Sequence, residues 1–296
     1  MKSLQVIKAD NLGIGNDLVY LHLGRAVLDQ YGIEGDAALR RAIVRFATVR
    51  GTYLRNCHKA LGMKINLKNH YYYNANPYHD TSVSEDIGHV TEQEDVRRVD
   101  FCPFADMMLK RGERYLIVTY CEEAHPPLWQ SYAPTAIVNL GRTCGQEHSD
   151  HCEFDVFLRP GRMTAEQRKE CFEEYDPDFK GDRRNEYKFM TDKQGAVFKA
   201  TIMIQEFLSE FQEALGAEAT NMVATALEAC ANDYYETLKQ SAEENKLDFN
   251  AEFWKENCCF GESTQEDEYW EMFATQATRE LADEHFYKIF NQLRPQ

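Results

Sequence analysis

The sequence predicts an α+β fold: a small antiparallel sheet with flanking helices and a C-terminal helical region. Three observations predict it. Apolar residues recur at helical spacing towards both ends, as in Leu39, Ile43, Phe46 and Ala47, and again in Ile204, Phe207, Leu208 and Phe211. Between them, Cys152, Phe154, Val156 and Leu158 alternate with Glu153, Asp155 and Phe157, the pattern of a strand with two unlike faces. Hydrophobic residues make up 43% of the 296, enough to build a sizeable core. The expected division is a helix-plus-sheet core over 1–160 and a helical region over 161–296, packing on that core or forming a dimer interface.

Each element has a local reason. Asn16 or Asp17 can cap a helix over Asp17–Tyr31 that Gly32 ends, and Asp36 can cap a second over Ala37–Leu61. The tyrosine-rich stretch after Gly62, with Tyr71, Tyr72, Tyr73 and Tyr78, reads as an edge strand or an aromatic loop. Asp80–Gln93 is acidic and polar, an exposed loop or lid. Val96–Phe101 reads as a strand, and Pro103 suits the first turn of a helix to Lys110, which puts Cys102 at its cap. Tyr115–His125 fits strand or helix, with Pro126-Pro127 ending it in either case. Thr135–Thr143 and Cys152–Leu158 read as an antiparallel hairpin. Helices follow over Met163–Tyr175, Gln194–Leu215, Ala217–Asn245 and Glu266–Leu293, with a loop over 176–185.

Composition excludes several function classes. Thirty-three Lys and Arg against forty-nine Asp and Glu leave a net charge of −16, a field that repels nucleic acid and anionic membranes. No apolar run is long enough to span a bilayer and the N-terminus has no signal core, so a cytoplasmic protein is expected. Nine cysteines then read as free thiols. Phosphate-binding loops, dinucleotide fingerprints, serine elbows and the HExxH zinc motif are absent.

The chemistry-bearing residues concentrate in 96–160. Cys102, at a strand-to-helix junction, sits where a helix N-terminus favours a thiolate; a buried small hydrophobe is the bland alternative. Cys121 and His125 fall one turn apart if their segment is helical, which allows a thiol–imidazole pair, and Glu123 lies between them. His148, His151 and Cys152 crowd the turn into the last strand. Together these sulfur and nitrogen atoms could hold zinc, although no cysteine or histidine knuckle is present, so no cofactor is expected. Arg45, Arg50 and Arg55 form a basic stripe in an acidic chain, suited to a carboxylate or to a solvated face, and Tyr72 could line the pocket of a flat ring.

Cys102-Pro103, Tyr120-Cys121 with an acidic residue just after, the strand LGRT, a polar turn and Cys152-Glu153-Phe154 resemble the L-2-amino-thiazoline-4-carboxylic acid hydrolase family. The upstream FATVRGTYLRNCHKALG resembles the helix before that family's sheet, so the resemblance spans about Leu18 to Leu158. It implies hydrolytic opening of a small carboxylated heterocycle to an N-carbamoyl amino acid. Cys121 and Cys152, with Cys102 beside them, match the family's cysteine positions. Glu123 or His125 replaces the family's acidic residue, His148-Ser149-Asp150-His151 replaces its Gly-Asp turn, and the C-terminal helices are longer. The resulting expectation is a hydrolase acting on a non-peptide C–N bond through a cysteine nucleophile, with His125 or His151 as base. The alternative is a non-catalytic small-molecule, metal or redox sensor of the vinyl-reductase type. Either binds a carboxylated small molecule, and the amphipathic C-terminal helices are compatible with a homodimer.

Overall fold

The computed structural model describes residues 2–74, 84–173 and 190–295, and the fold is α+β. In chain order the elements are α1 (Leu4–Ala60), α2 (Leu67–Tyr72), β1 (Ser84–Val90), β2 (Glu94–Phe101), α3 (Pro103–Lys110), α4 (Arg114–Tyr132), β3 (Ile137–Arg142), β4 (Cys152–Phe157) and α5 (Ala165–Phe172). Then come α6 (Asp192–Leu215), α7 (Ala219–Glu244), α8 (Ala251–Asn257), α9 (Glu268–Phe273), α10 (Gln276–Ala282) and α11 (Lys288–Leu293), with one π-helical turn, Asp283–Tyr287, before α11. Tyr78 and the expected loop over 176–185 lie outside the described residues.

The chain forms two compact units. One gathers the chain up to Ile43 and from Asp192 onward; the other gathers Val44–Ala75 and Val83–Thr191. The expected boundary at 160 therefore moves, because the first part of α1 shares a core with the C-terminal helices. Within that unit the Asn11 amide donates to Asn257 at 2.9 Å, the Tyr234 hydroxyl donates to the Asn11 carbonyl at 3.0 Å, and the Tyr20 ring meets Phe207 edge-on at 6.1 Å. Asn16 and Asp17 are buried inside α1 rather than capping it, since the helix already starts at Leu4. Gly32 does break the regular helix, at φ 55°, a left-handed conformation that glycine adopts without a Cβ clash.

The second unit holds the sheet, in the order β1-β2-β4-β3, with all neighbours antiparallel. β1 occupies part of what reads as a polar loop, because backbone pairing to β2 outweighs its weak strand propensity. The tyrosine-rich stretch is helical in α2, where Asn66 caps the backbone amide of Asn69 at 3.0 Å. On β4, Cys152, Phe154 and Val156 face the core, while Glu153, Asp155 and Phe157 take the other side.

α4 is the main departure from expectation. It runs through Pro126-Pro127 to Tyr132, although each interior proline costs about 3 kcal/mol or more. Burial of Trp129 and Tyr132 beyond the prolines offsets that cost, as does capping by Arg55, which donates to the Tyr132 carbonyl at 2.8 Å. Arg55 also pairs with Glu170 at 2.6 Å, joined there by Lys59 at 3.0 Å. α1 crosses α4 at Gly51, where a Cβ would collide with the Ser131 hydroxyl and the Leu128 carbonyl. The expected last helix, Glu266–Leu293, is divided by caps at Asp267 and Thr275 and by the π turn.

Gly51→Ala should lower unfolding stability by about 1–3 kcal/mol, because overpacking forces two helices apart. Gly161→Ala, which meets nothing within 4 Å, is the control and should leave denaturant midpoints unchanged.

Candidate functional site

The site is built by α4 lying against β4. Cys121, His125 and Trp129 stand at one-turn intervals on one side of α4. Four helical residues rise about 6 Å, and two strand residues rise nearly the same, about 6.6 Å. The helix row therefore keeps step with Cys152 and Phe154 on β4. The His125 ring meets Phe154 edge-on at 4.9 Å and Trp129 at 5.5 Å, and Tyr120 closes on it at 6.4 Å.

Two arginines flank this aromatic frame. Arg97, opposite Phe154 in the β2–β4 ladder, lies over the Phe154 ring at 5.7 Å and the Tyr71 ring at 4.7 Å. Its guanidinium pairs with the fully buried carboxylate of Asp95. Arg50, on α1, lies over Phe46 at 5.3 Å and makes no ion pair or hydrogen bond among the described residues. The His125 imidazole likewise has no hydrogen-bond partner among them, and neither does the buried indole Nε1 of Trp129. Burial, reinforced by the charges of Arg50 and Arg97, lowers the His125 pKa to about 3. At neutral pH the ring is uncharged and offers one donor and one acceptor. Three polar groups in one aromatic frame are thus left open: a guanidinium, an indole N–H and a neutral imidazole.

The thiols form the second part. The Cys144 and Cys152 sulfurs are 3.2 Å apart, with the Cys152 thiol donating to Cys144, and the Cys144 backbone amide donates to Cys152 Sγ at 3.1 Å. That hydrogen bond between the sulfurs lowers the Cys144 pKa to about 7 and pushes the partner thiol far up. The pair releases one proton near neutrality and holds the other. Burial drives the Cys121 thiol well above its usual range, with further raising by Cys102 and Cys144 nearby. Cys121 is therefore held as a thiol, and it makes no hydrogen bond to His125. Cys102 is the half-buried N-cap of α3, without a side-chain cap bond.

The remaining expected residues scatter. His151 hydrogen-bonds Asp150 at 2.6 Å and Glu153 at 2.9 Å, and those carboxylates raise its pKa while their own are lowered. Both ring nitrogens are thereby occupied as donors, which suits a fixed imidazolium rather than a base. His148 adopts φ 61° with its side chain 90% exposed, a solvated turn residue. Tyr72 packs its ring on Tyr71 at 4.9 Å, and Arg45 and Glu123 are half-buried on α1 and α4. Arg55 caps α4. Of the arginine stripe, Arg50 is the member at the frame. Sequence reasoning gave no role to Cys144, Arg97, Trp129 or Phe154. Trp129 had a legible signal, one further helical turn after His125, but the prolines hid it.

Behind the frame, His58 is fully buried; its Nε2–H donates to the Tyr73 carbonyl at 3.2 Å, so Nδ1 accepts from the Tyr132 hydroxyl at 2.8 Å. Burial lowers its pKa to about 4. Among the described residues no group of three or more His, Cys, Asp or Glu comes together that could hold a metal ion. No family model, curated protein or solved structure matches the chain. No helix is long and apolar enough to cross a membrane among the described residues.

Two pH responses follow from these environments. Histidine NMR titration should show His58 and His125 neutral down to pH of about 5, while His151 titrates above the usual ~6.5; a His125 midpoint near ~6.5 would contradict the frame's electrostatics. Unfolding stability should also fall as pH drops from about 6.5 towards 4, because the unfolded chain then binds protons that folded His58 and His125 refuse. A His58→Asn variant should show a slope shallower by about one proton over that range.

Proposed function

We propose that this protein is a hydrolase that opens a C–N bond of a small, flat, carboxylated heterocycle or cyclic amide, using the Cys144–Cys152 pair as its nucleophile. The observation that carries the reading is a dithiol with one acidic proton, next along β4 from an aromatic frame where one of the two arginines, Arg50, has no ion pair or hydrogen bond among the described residues. Arg50 takes the substrate carboxylate, and a guanidinium with no partner to give up loses little on binding one. Phe154, Trp129 and Tyr120 hold the flat ring. Neutral His125 contributes a donor and an acceptor without competing for the carboxylate as a cation would.

The chemistry closes on these groups. The thiolate sulfur adds to the electrophilic ring carbon. As the C–N bond breaks, the partner thiol gives its proton to the departing nitrogen. Water then adds at the same carbon and expels the sulfur, and its proton returns to the pair. The net change is one substrate plus one water to the opened product. The resemblance described above favours 2-aminothiazoline-4-carboxylate as the first compound to test; there the N-carbamoyl product requires the ring C–S bond to break, so the partner thiol's proton goes to the departing sulfur. It placed the nucleophile at Cys121 or Cys152; the hydrogen-bonded pair favours Cys144 as the thiolate with Cys152 as the partner thiol, because Cys121 is held protonated by burial and Cys152 keeps its proton towards Cys144.

The second reading, a sensor that binds such a ligand without turning it over, is favoured by the same unpaired arginine. Screening carboxylated heterocycles and cyclic amides separates the two. Under the hydrolase reading turnover rises with pH to a midpoint at about 7. Cys144→Ser and Cys152→Ser should each lower kcat by about a thousandfold. Arg50→Gln should raise KM by about 10–100-fold with a smaller effect on kcat, the loss of a charge-assisted hydrogen bond. Folded Cys144→Ser and Cys152→Ser proteins that both keep full turnover would remove the nucleophile, and saturable binding with no product would leave the sensor.

A further inference from the structure

We propose that Cys144 and Cys152 are a modification site: a hydroperoxide converts them to a reversible disulfide, and a small-molecule dithiol reopens it. The two sulfurs already touch at 3.2 Å, about 1 Å from bonding distance. The backbone puts them there. The β3–β4 ladder pairs Leu140 with Phe154 and Arg142 with Glu153; Cys152 is the residue next to that last pair on its strand, and Cys144 follows Arg142 after one residue, Thr143.

The loop between them is fixed at the cysteine end. Arg114 of α4 donates to the Gly145 and Gln146 carbonyls at 3.0 and 3.1 Å, and the Gln146 side-chain carbonyl accepts from the Thr143 amide at 3.3 Å. Gly145 lies so close to Ile117 that a Cβ would meet its side chain at 2.7 Å. Closure therefore asks for a change of side-chain torsion and leaves the hairpin in place. Cys258 and Cys259, although adjacent in sequence, turn to other partners: the Cys258 thiol donates to the Phe260 carbonyl at 3.3 Å, and Cys259 Sγ accepts from the Tyr234 hydroxyl at 3.5 Å.

The steps balance. The thiolate attacks the peroxide oxygen, the O–O bond breaks, and an alcohol or water leaves with one proton; the sulfur is oxidised to a sulfenic acid. The neighbouring thiol then attacks that sulfur, the S–O bond breaks, and water departs with the thiol proton. Two electrons pass from the pair to one peroxide. Because the resolving thiol is already in contact, the sulfenic acid is consumed before a second peroxide can carry it to sulfinic acid. Formation of this disulfide stands apart from the function proposed above; its consequence, reversible loss of the nucleophile, rests on that reading.

The full-length chain, reduced and then treated with one equivalent of hydrogen peroxide, should lose about 2 Da, the mass of two hydrogens. Peptide mapping should place the cross-link between Cys144 and Cys152, and dithiothreitol should reverse it. Cys144→Ser and Cys152→Ser should instead accumulate a sulfenic acid that a dimedone probe traps on the remaining partner. Peroxide that leaves both thiols reduced, oxidises them to sulfinic acid without a cross-link, or links either to Cys121 would overturn the proposal. The mass readout needs no substrate. A 144–152 disulfide in a protein with no turnover would leave this inference standing and count against the hydrolase.

Discussion

The register of α4 on β4 is the constraint on which the rest of this site depends. A helix and a strand agree in rise only when a one-turn step is set against a two-residue step, about 6 Å in each case. Here the steps are Cys121 to His125 and Cys152 to Phe154. A slip of one residue on β4 would turn Cys152 and Phe154 to the other side of the sheet and bring Glu153 and Asp155 inward. The thiol pair, the aromatic frame and the position of Arg97 would go together. Arg55 and Gly51 hold this register indirectly, one by capping α4 beyond its prolines and the other by letting α1 approach.

Electrostatics then divides the site into two halves of opposite tendency. Around His125 burial and two guanidinium charges keep the imidazole neutral and leave a net positive frame. Around the thiols the hydrogen bond between sulfurs lets one proton go near neutrality, so the local charge there is negative. A substrate with a carboxylate at one end and an electrophilic carbon at the other matches that polarity. In a chain of net −16, the overall field repels a large polyanion.

Much of this was legible in the sequence, and the parts that were not share a cause. The α+β class, the Cys102-Pro103 helix start, the break at Gly32 and the alternating faces of β4 are local patterns, and local patterns survive folding. The path of α4 was not legible, because proline propensity pointed one way and the burial of Trp129 and Tyr132 the other. Nor was the division into units, which depends on the first part of α1 finding helices that begin some 150 residues later, from Asp192 on. Among the three arginines spacing alone could not tell Arg55, which caps a helix, from Arg50, which makes no ion pair or hydrogen bond among the described residues. Cys144 belonged visibly to the cysteine-rich stretch, yet its contact with Cys152 is set by hairpin register, which no spacing rule encodes.

The most direct test of the central claim, one poised thiolate beside a cationic aromatic frame, is the pH dependence of iodoacetamide labelling assigned by mass spectrometry across all nine cysteines. The structure predicts that the Cys144–Cys152 pair labels first, with a midpoint at about 7, while Cys121, Cys230, Cys258 and Cys259 stay unlabelled until the protein unfolds. Uniformly slow labelling, or Cys121 reacting ahead of the pair, would contradict it.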